Sequence, residues 1–216
     1  MITIKQFAFN PFQENTYVLF DQTKECIVVD AGCYDEKEHQ QLVNYIESNH
    51  LKLVDIVNTH GHFDHVLGIK RLAETYNIVP RMNPNEEYLV GQAIEQGAMF
   101  GFKVEPLPTF KYDLTENNTI KFGNSTLHIA HVPGHSKGHV ALYETTQRFV
   151  LTGDVLFKGS IGRTDLPGGD YDTLMDSIFQ KIISLGEEYT VYPGHGPSTT
   201  IDEEKLTNPF LLRLGA

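Results

Sequence analysis

Seven residues of metal-binding types stand beside turns in the sequence. Four of them fall in residues 59–65, which read Thr-His-Gly-His-Phe-Asp-His and hold three histidines and one aspartate. The other three stand downstream, each directly after a glycine. The seven candidates are His60, His62, Asp64, His65, His135, Asp154 and His195. Neutral imidazoles with carboxylates suit Zn²⁺, Fe or Mn²⁺, and a set of this size suits a two-metal site. The chemistry that these residues predict is metal-ion catalysis.

A plain structural role is the alternative for residues 59–65. Asp64 would then interact favourably with the dipole of a following helix, and the histidines would have no function. A single histidine is often of this kind. Three histidines within six residues, with further histidines in glycine-rich turns downstream, favour the metal site instead.

A strand and a helix must position this segment. Residues 53–58 form a short, mostly apolar run that predicts a buried strand. Apolar residues at helical spacing predict a helix over about 64–76. Two positions apart in an extended turn, His60 and His62 can point the same way.

The rest of the chain repeats this order of strands, a polar residue at a strand end, and a helix. Strands are predicted at 2–9, 16–20, 26–30, 53–58, 78–80, 119–122, 125–130, 140–143, 148–151 and 190–192. Helices are predicted at 35–49, 64–76, 85–96 and 171–183, with a long loop at 97–111. This order predicts an α+β fold with sheets inside and helices outside.

Composition and net charge limit the binding partners and the cellular location that we expect for this protein. The chain has 216 residues and a formal net charge of −11, which argues against a general affinity for nucleic acid or anionic membranes. It contains no apolar run of about 18 residues and no signal-peptide pattern, so we expect a cytoplasmic protein. Its two cysteines, Cys26 and Cys33, are expected to be buried or free thiols.

The motif resembles that of the metallo-β-lactamase-fold hydrolases. Residues 59–65 match the T-H-x-H-x-D-H pattern of that family at every specified position. His135, Asp154 and His195 follow in the expected order, after Pro-Gly, Thr-Gly and Pro-Gly. The resemblance covers nearly the whole chain. It implies one domain, 1–216, folded as a four-layer αβ/βα sandwich with metals at the shared edge of two β-sheets.

The resemblance also implies a role for each candidate. The first metal would be held by His60, His62 and His135, the second by Asp64, His65 and His195, and Asp154 would bridge the two. It implies two divalent metal ions, zinc first, with iron or manganese as alternatives. Asp64 and Asp154 are the expected catalytic carboxylates. The implied reaction is hydrolysis of a small thioester or ester by a metal-bridging hydroxide.

Residues 153–165 look like the glyoxalase II branch, whose members hydrolyse thioesters such as S-lactoylglutathione. There, a basic residue nine positions after the bridging aspartate contacts glutathione, and Arg163 stands at that position. A structural ion pair of Arg163 with Asp165 or Asp170 is the alternative. The chain resembles the compact bacterial form, without the C-terminal helical domain that supplies further glutathione contacts.

Other functions remain open to the same residues. A persulfide dioxygenase-like oxidoreductase would use one iron held by His60, His135 and Asp154. A metal-binding module without turnover is an alternative from a different class, whereas a β-lactamase or an RNA-processing nuclease is less favoured. We expect His139 to be structural and His39 to be exposed. Asp30 is expected to be either a turn residue or a carboxylate that orients a metal-bound histidine.

Overall fold

The computed structural model describes residues 1–212. Its strands are Thr3–Phe9 (β1), Glu14–Phe20 (β2), Glu25–Val29 (β3), Lys52–Val57 (β4), Arg81–Met82 (β5), Lys111–Tyr112 (β6), Thr119–Phe122 (β7), Ser125–His131 (β8), Val140–Glu144 (β9), Phe149–Gly153 (β10), Leu156–Phe157 (β11), Ser160–Ile161 (β12), Thr190–Pro193 (β13) and Thr199–Thr200 (β14). Its helices are Glu36–Ser48 (α1), Phe63–Val66 (α2), Ile69–Tyr76 (α3), Glu87–Met99 (α4), Tyr171–Ser177 (α5), Ile201–Thr207 (α6) and Pro209–Leu212 (α7). A 3₁₀ turn, Pro84–Glu86, precedes α4, and α5 continues as a π-helix, Ile178–Ile182, and a 3₁₀ turn, Ile183–Leu185.

The strands form two large sheets. The first has the order β1-β2-β3-β4-β5-β6, antiparallel from β1 to β3 and parallel from β3 to β6. Parallel neighbours need a crossover, and helices supply it between β3, β4, β5 and β6. The second sheet has the order β14-β13-β10-β9-β8-β7, in which only β10 and β13 are parallel.

Three apolar layers separate four structural layers. The middle layer lies between the sheets and includes Leu19 and Ile27 from the first sheet and Leu142 from the second. One outer layer packs α1 and α3 against the first sheet, and the other packs α5 and α6 against the second. Strand β3 is apolar at successive positions because its alternate side chains enter the middle and the outer layers. The predicted four-layer αβ/βα sandwich is therefore confirmed.

Strands β7 and β8, near the predicted strands 119–122 and 125–130, pair as an antiparallel hairpin. Phe122 pairs with Ser125 across a two-residue turn, Gly123-Asn124. Gly123 has a φ of +53°, the left-handed conformation that a tight hairpin turn of this kind requires. No helix within residues 1–212 is long and apolar enough to span a membrane.

The single helix predicted over 64–76 is wrong, because the structure breaks it into α2 and α3. The backbone N–H of Gly68 donates to the carbonyl of Ala31 at 2.8 Å instead of to the preceding turn. The carbonyl of Asp64, four residues earlier, accepts from the side chain of Asn10 at 3.0 Å. Hydrogen bonds to Ala31 and from Asn10 thus replace the helical bond between the Gly68 N–H and the Asp64 carbonyl.

Two further local predictions are wrong. The strand expected at 78–80 is displaced to the two residues of β5, because α3 ends at Asn77 in a left-handed turn and Ile78 still donates to Ala73. His39 is buried on the inner side of α1 rather than exposed, with its Nε2 atom 3.4 Å from the Thr75 hydroxyl. Both cysteines are buried and free, as expected.

Candidate metal centre

The ends of four strands bring the candidate residues to one place. Strand β4 leads through Asn58 and Thr59 into the histidine motif, and His135 follows β8 after a short turn. Strands β10 and β13 are parallel, with Gly153 opposite Pro193, so Asp154 and His195 leave the second sheet side by side. The two sheets therefore present their polar residues at a common edge.

The first group of residues is His60, His62 and His135. Their metal-binding atoms all lie within 4.8 Å of one another. The Nε2 atom of His135 is 2.8 Å from the Nδ1 atom of His62. All three side chains are buried.

The second group is Asp64, His65 and His195, whose metal-binding atoms again lie within 4.8 Å of one another. The Nε2 atom of His195 is 3.3 Å from the Asp64 carboxylate, and that of His65 is 4.0 Å from it. One short loop and the start of α2 thus supply residues to both groups, as the motif spacing predicts.

The Asp154 carboxylate lies between the groups. One of its oxygens is 3.4 Å from Nε2 of His65. The other is 3.6 Å from Nε2 of His135 and 3.6 Å from Nε2 of His195. Asp154 therefore contacts the first group through His135 and the second through the other two histidines. Its backbone N–H donates to Nε2 of His139 at 3.0 Å, which is the structural role expected of His139.

Asp30 fixes the orientation of two histidines. It accepts hydrogen bonds from the N–H and the hydroxyl of Thr59, both at 2.7 Å, and from Nδ1 of His65 at 3.1 Å. Because the Thr59 hydroxyl donates to Asp30, its oxygen is free to accept from Nδ1 of His60 at 3.0 Å. Both rings then carry a proton on Nδ1 and turn Nε2 inward. The structure thus favours the orienting role of Asp30 over a plain turn.

Backbone carbonyls orient two more histidines in the same way. Nδ1 of His135 is 2.8 Å from the carbonyl oxygen of Arg163, and Nδ1 of His195 is 3.0 Å from that of Phe12. Each ring donates its outer N–H to the protein and turns Nε2 inward. This is the arrangement that metal-binding histidines usually have.

Several inward atoms have no partner in the protein. The buried atoms without a hydrogen bond include Nε2 of His60, His62 and His65 and Oδ1 of Asp154. An unpartnered buried polar atom is costly, and those of His60, His65 and Asp154 belong to the two ligand groups or to the carboxylate between them. Divalent cations would satisfy them, so the residues fit a metal centre.

The charge environment differs between the two groups. Burial, and then the neighbouring histidines, hold the pKa of His60 well below its usual range, and burial lowers the pKa of His62 to about 3. Burial also lowers the pKa of His65, but the carboxylates of Asp154 and Asp64 outweigh it and hold that pKa well above its usual range. Burial raises the pKa of Asp154, yet His65 and two further histidines bring it well below the usual range. The first group thus presents neutral imidazoles, and the second is rich in charge.

Glu86 is a buried carboxylate that the sequence analysis missed. It accepts from the N–H of Gly61 at 2.8 Å and from the N–H of Gly138 at 2.6 Å. It therefore ties the loop of His60 and His62 to the loop that follows His135. Its sequence signal, an acidic residue in the first turn of a helix, is too common to reveal this role.

Arg163 forms the ion pair that the sequence analysis kept as an alternative. Its guanidinium donates to both oxygens of Asp165, at 2.7 and 2.8 Å, on the protein surface. Asp170, the other proposed partner, instead accepts from the N–H of Thr173 at the start of α5.

A cavity of about 540 Å³ opens over both groups. Its base is formed by His62, Asp64, His135, Asp154 and His195. Its apolar walls are Phe12, Phe63, Met99, Phe100, Leu166 and Pro167, and its other polar residues are Gln92, Glu95, Gln96 and Arg163. A small molecule that enters here meets the candidate metal ligands directly.

The chain is similar in sequence and in structure to known proteins. The family model described as the metallo-beta-lactamase superfamily matches residues 9–195. The chain is 35% identical to hydroxyacylglutathione hydrolase GloC of Haemophilus influenzae, over 97% of this chain and 98% of that one. Among solved structures, BLEG-1 B3 metallo-beta-lactamase superposes with a TM-score of 0.86 at 34% identity, covering 97% and 99%. TTHA1623 in a di-iron-bound form superposes with a TM-score of 0.86 at 36% identity, covering 96% and 100%.

Proposed function

The chain belongs to the metallo-β-lactamase superfamily, and from this membership we propose that it is a two-metal hydrolase that cleaves a thioester, in the manner of glyoxalase II-like enzymes. The observation that carries the proposal is the pair of adjacent ligand groups that share Asp154. The likeness to a hydroxyacylglutathione hydrolase supports thioesters as the substrate class and makes S-lactoylglutathione the first compound to test.

The proposed ligand sets are those that the sequence analysis assigned. His60, His62 and His135 would hold one metal, Asp64, His65 and His195 the other, and Asp154 would contact both. We propose zinc first, and the di-iron form of a related structure keeps iron as the alternative. Bound divalent ions supply Lewis acidity and lower the pKa of a coordinated water.

The protein itself positions the ligands and admits the substrate. Asp30 and Thr59 keep a proton on Nδ1 of His60 and His65 and turn Nε2 toward the centre, and Glu86 holds two ligand loops together. Five of the seven proposed ligands line the cavity, so a scissile carbonyl in the cavity can reach the centre. Its lining, taken over residues 1–212, includes no serine, threonine or cysteine. Hydrolysis by water, without a covalent acyl-protein intermediate, is the reaction that this lining supports.

The dioxygenase alternative accounts for fewer of the observations. A single iron held by His60, His135 and Asp154 would leave Asp64 and His195 without a role. It would also leave Nε2 of His65 buried and unpartnered. A module without turnover, in turn, would not need a cavity open over the ligands.

Removal and return of metal test the proposal. Chelation should abolish hydrolysis of S-lactoylglutathione, and re-addition of zinc or iron should restore it. Asp154→Ala should lose metal and activity together, because this carboxylate contacts both groups. Wild-type turnover by Asp154→Ala, or by the chelated protein, would contradict the assignment.

A further inference from the structure

We propose that the cavity contains an aromatic subsite, formed by Phe12, Phe63, Met99 and Phe100, that binds an apolar arm of the thioester substrate. The inference rests on the proposed thioesterase function and specifies its substrate class. It distinguishes substrates with a flat apolar group from substrates with a charged arm such as glutathione.

Three aromatic rings form the core of this subsite. The Phe63 ring stacks on that of Phe100, with centroids 5.4 Å apart and planes 18° apart. Phe12 packs edge-on against both, at 5.4 Å from Phe63 and 5.7 Å from Phe100. Such clusters present both ring faces and ring edges to a further aromatic group.

The cluster is left open toward the cavity. Phe63 is buried, but Phe12 is 38% exposed, Phe100 54% and Met99 80%. Within residues 1–212, no segment covers the side chains of Phe12, Met99 and Phe100, although they line the same cavity. A contiguous exposed apolar patch on the wall of a ligand cavity indicates a binding surface.

The backbone connects the subsite to both ligand groups. Phe63 stands between His62 and Asp64 in the motif, and the carbonyl of Phe12 lies 3.0 Å from Nδ1 of His195. A group held by these rings is therefore at a fixed distance from the candidate metal ligands. This is the arrangement needed to place a carbonyl attached to that group.

The charges of the cavity disfavour an anionic arm. Among the lining residues of 1–212, Arg163 is the only arginine or lysine, and both oxygens of Asp165 already bind it. Glu95 adds a carboxylate to the wall, and Leu166 and Pro167 line the cavity without charge. A carboxylate-bearing arm would have to compete with Asp165 for Arg163, whereas an apolar arm gains free energy by leaving water.

The test measures kcat/KM of the metal-loaded protein for four thioesters. S-benzyl thioacetate has an apolar thiol arm, and S-phenylacetyl-N-acetylcysteamine an apolar acyl arm. S-acetyl-N-acetylcysteamine has neither, and S-lactoylglutathione has a charged thiol arm. We expect at least one of the two phenyl-bearing thioesters to exceed both S-acetyl-N-acetylcysteamine and S-lactoylglutathione in kcat/KM by about 10-fold or more, as burial of a phenyl group predicts. The better of the two identifies which arm enters the subsite.

Variants locate the effect. Phe100→Ser should raise KM for the preferred phenyl-bearing thioester about 5-fold or more, and should raise it less for the acetyl substrate, which has no phenyl group to bind. Leu206→Ser is the matched control, since Leu206 is 67% exposed on α6 and is not part of the cavity lining. It should change neither substrate.

Several results would overturn the inference while the proposed function stands. One is a kcat/KM for S-lactoylglutathione above that of both phenyl-bearing thioesters. Another is a loss of about 10-fold in that value on Arg163→Met, which would identify Arg163 as the binding group for an anionic arm. A third is a Phe100→Ser protein with altered self-association and unchanged KM, which would make the patch a contact between copies. Hydrolysis of none of the four thioesters would instead overturn the proposed function, and this inference with it.

Discussion

Asp30→Asn should weaken metal binding without unfolding the protein. Asparagine has nearly the same shape as aspartate, and it tolerates the left-handed backbone at this position, where φ is +53°. The substitution replaces a carboxylate oxygen that accepts from the Thr59 hydroxyl and from Nδ1 of His65 with an amide that donates. The chain of hydrogen bonds then has to reverse.

Reversal changes the protonated nitrogen in two ligands. Nδ1 of His65 would accept from the amide group introduced by the substitution, so the proton of that ring would move to Nε2, the inward atom. The Thr59 hydroxyl would likewise accept from the amide and donate to Nδ1 of His60, which moves a second proton inward. A protonated Nε2 cannot bind a metal ion. Loss of such outer hydrogen bonds typically lowers metal affinity about 10–100-fold, or about 1.4–2.7 kcal/mol.

The assay is competition for zinc with a chromophoric chelator, combined with urea unfolding of the metal-free protein. We expect affinity to fall in both ligand groups, since His60 and His65 belong to different groups. The free energy of unfolding of the metal-free protein should change much less than the metal-dependent stabilisation. Asp35→Asn is the control, because Asp35 begins α1 by accepting from the N–H of Glu38 and asparagine does this equally well. Unchanged zinc affinity in Asp30→Asn would refute the orienting role of Asp30.

Three further predictions concern other contacts. In Gly194→Ala, the added Cβ would lie 2.2 Å from an Asp154 oxygen and 2.8 Å from the His65 ring, so metal content should fall and stability should drop by about 1–3 kcal/mol. Gly91→Ala, which meets nothing within 4 Å, is its control in metal analysis and thermal unfolding, and equal metal content in the two would contradict the prediction. Glu86→Ala leaves two buried N–H donors without an acceptor, so the zinc affinity of the first group should fall about 10-fold or more. Glu87→Ala, at an exposed position, is the control and should keep the wild-type affinity. Equal affinities of the two variants in chelator competition would refute the role of Glu86 in holding the two ligand loops. Burial raises the pKa of Asp21, but hydrogen bonds from Thr23, Ser125 and the Asn124 N–H outweigh it and lower the pKa to about 2. Its stabilisation is therefore complete above about pH 4, the unfolded pKa, and is lost as the pH falls toward 2. Asp21→Asn should flatten the loss of stability measured by urea unfolding between those values, and an unchanged slope would contradict this.

The candidate residues could be predicted because the signals that mark them are local. A buried strand followed by a turn places His60, His62, Asp64 and His65 together at one end of a sheet. The glycine turns before His135, Asp154 and His195 mark strand ends in the same way. The layers followed from apolar periodicity, since each face of a sheet must be covered.

What could not be predicted depends on contacts between distant segments. The break between α2 and α3 comes from Asn10 and Ala31, which compete for backbone groups of the motif helix. Glu86 acts on loops 25 and 52 residues away, and no local pattern indicates this. Both roles of Arg163 suited its chemistry, and only the fold of its loop places Asp165 against the guanidinium.

Metal content measured together with turnover tests the central claim most directly. Plasma mass spectrometry and hydrolysis of thioesters, S-lactoylglutathione among them, should be carried out on one preparation. The two-metal account predicts about two divalent ions per chain and thioester hydrolysis that rises with metal occupancy. One iron per chain, no thioester hydrolysis and oxygen uptake with glutathione persulfide would contradict it and favour the dioxygenase.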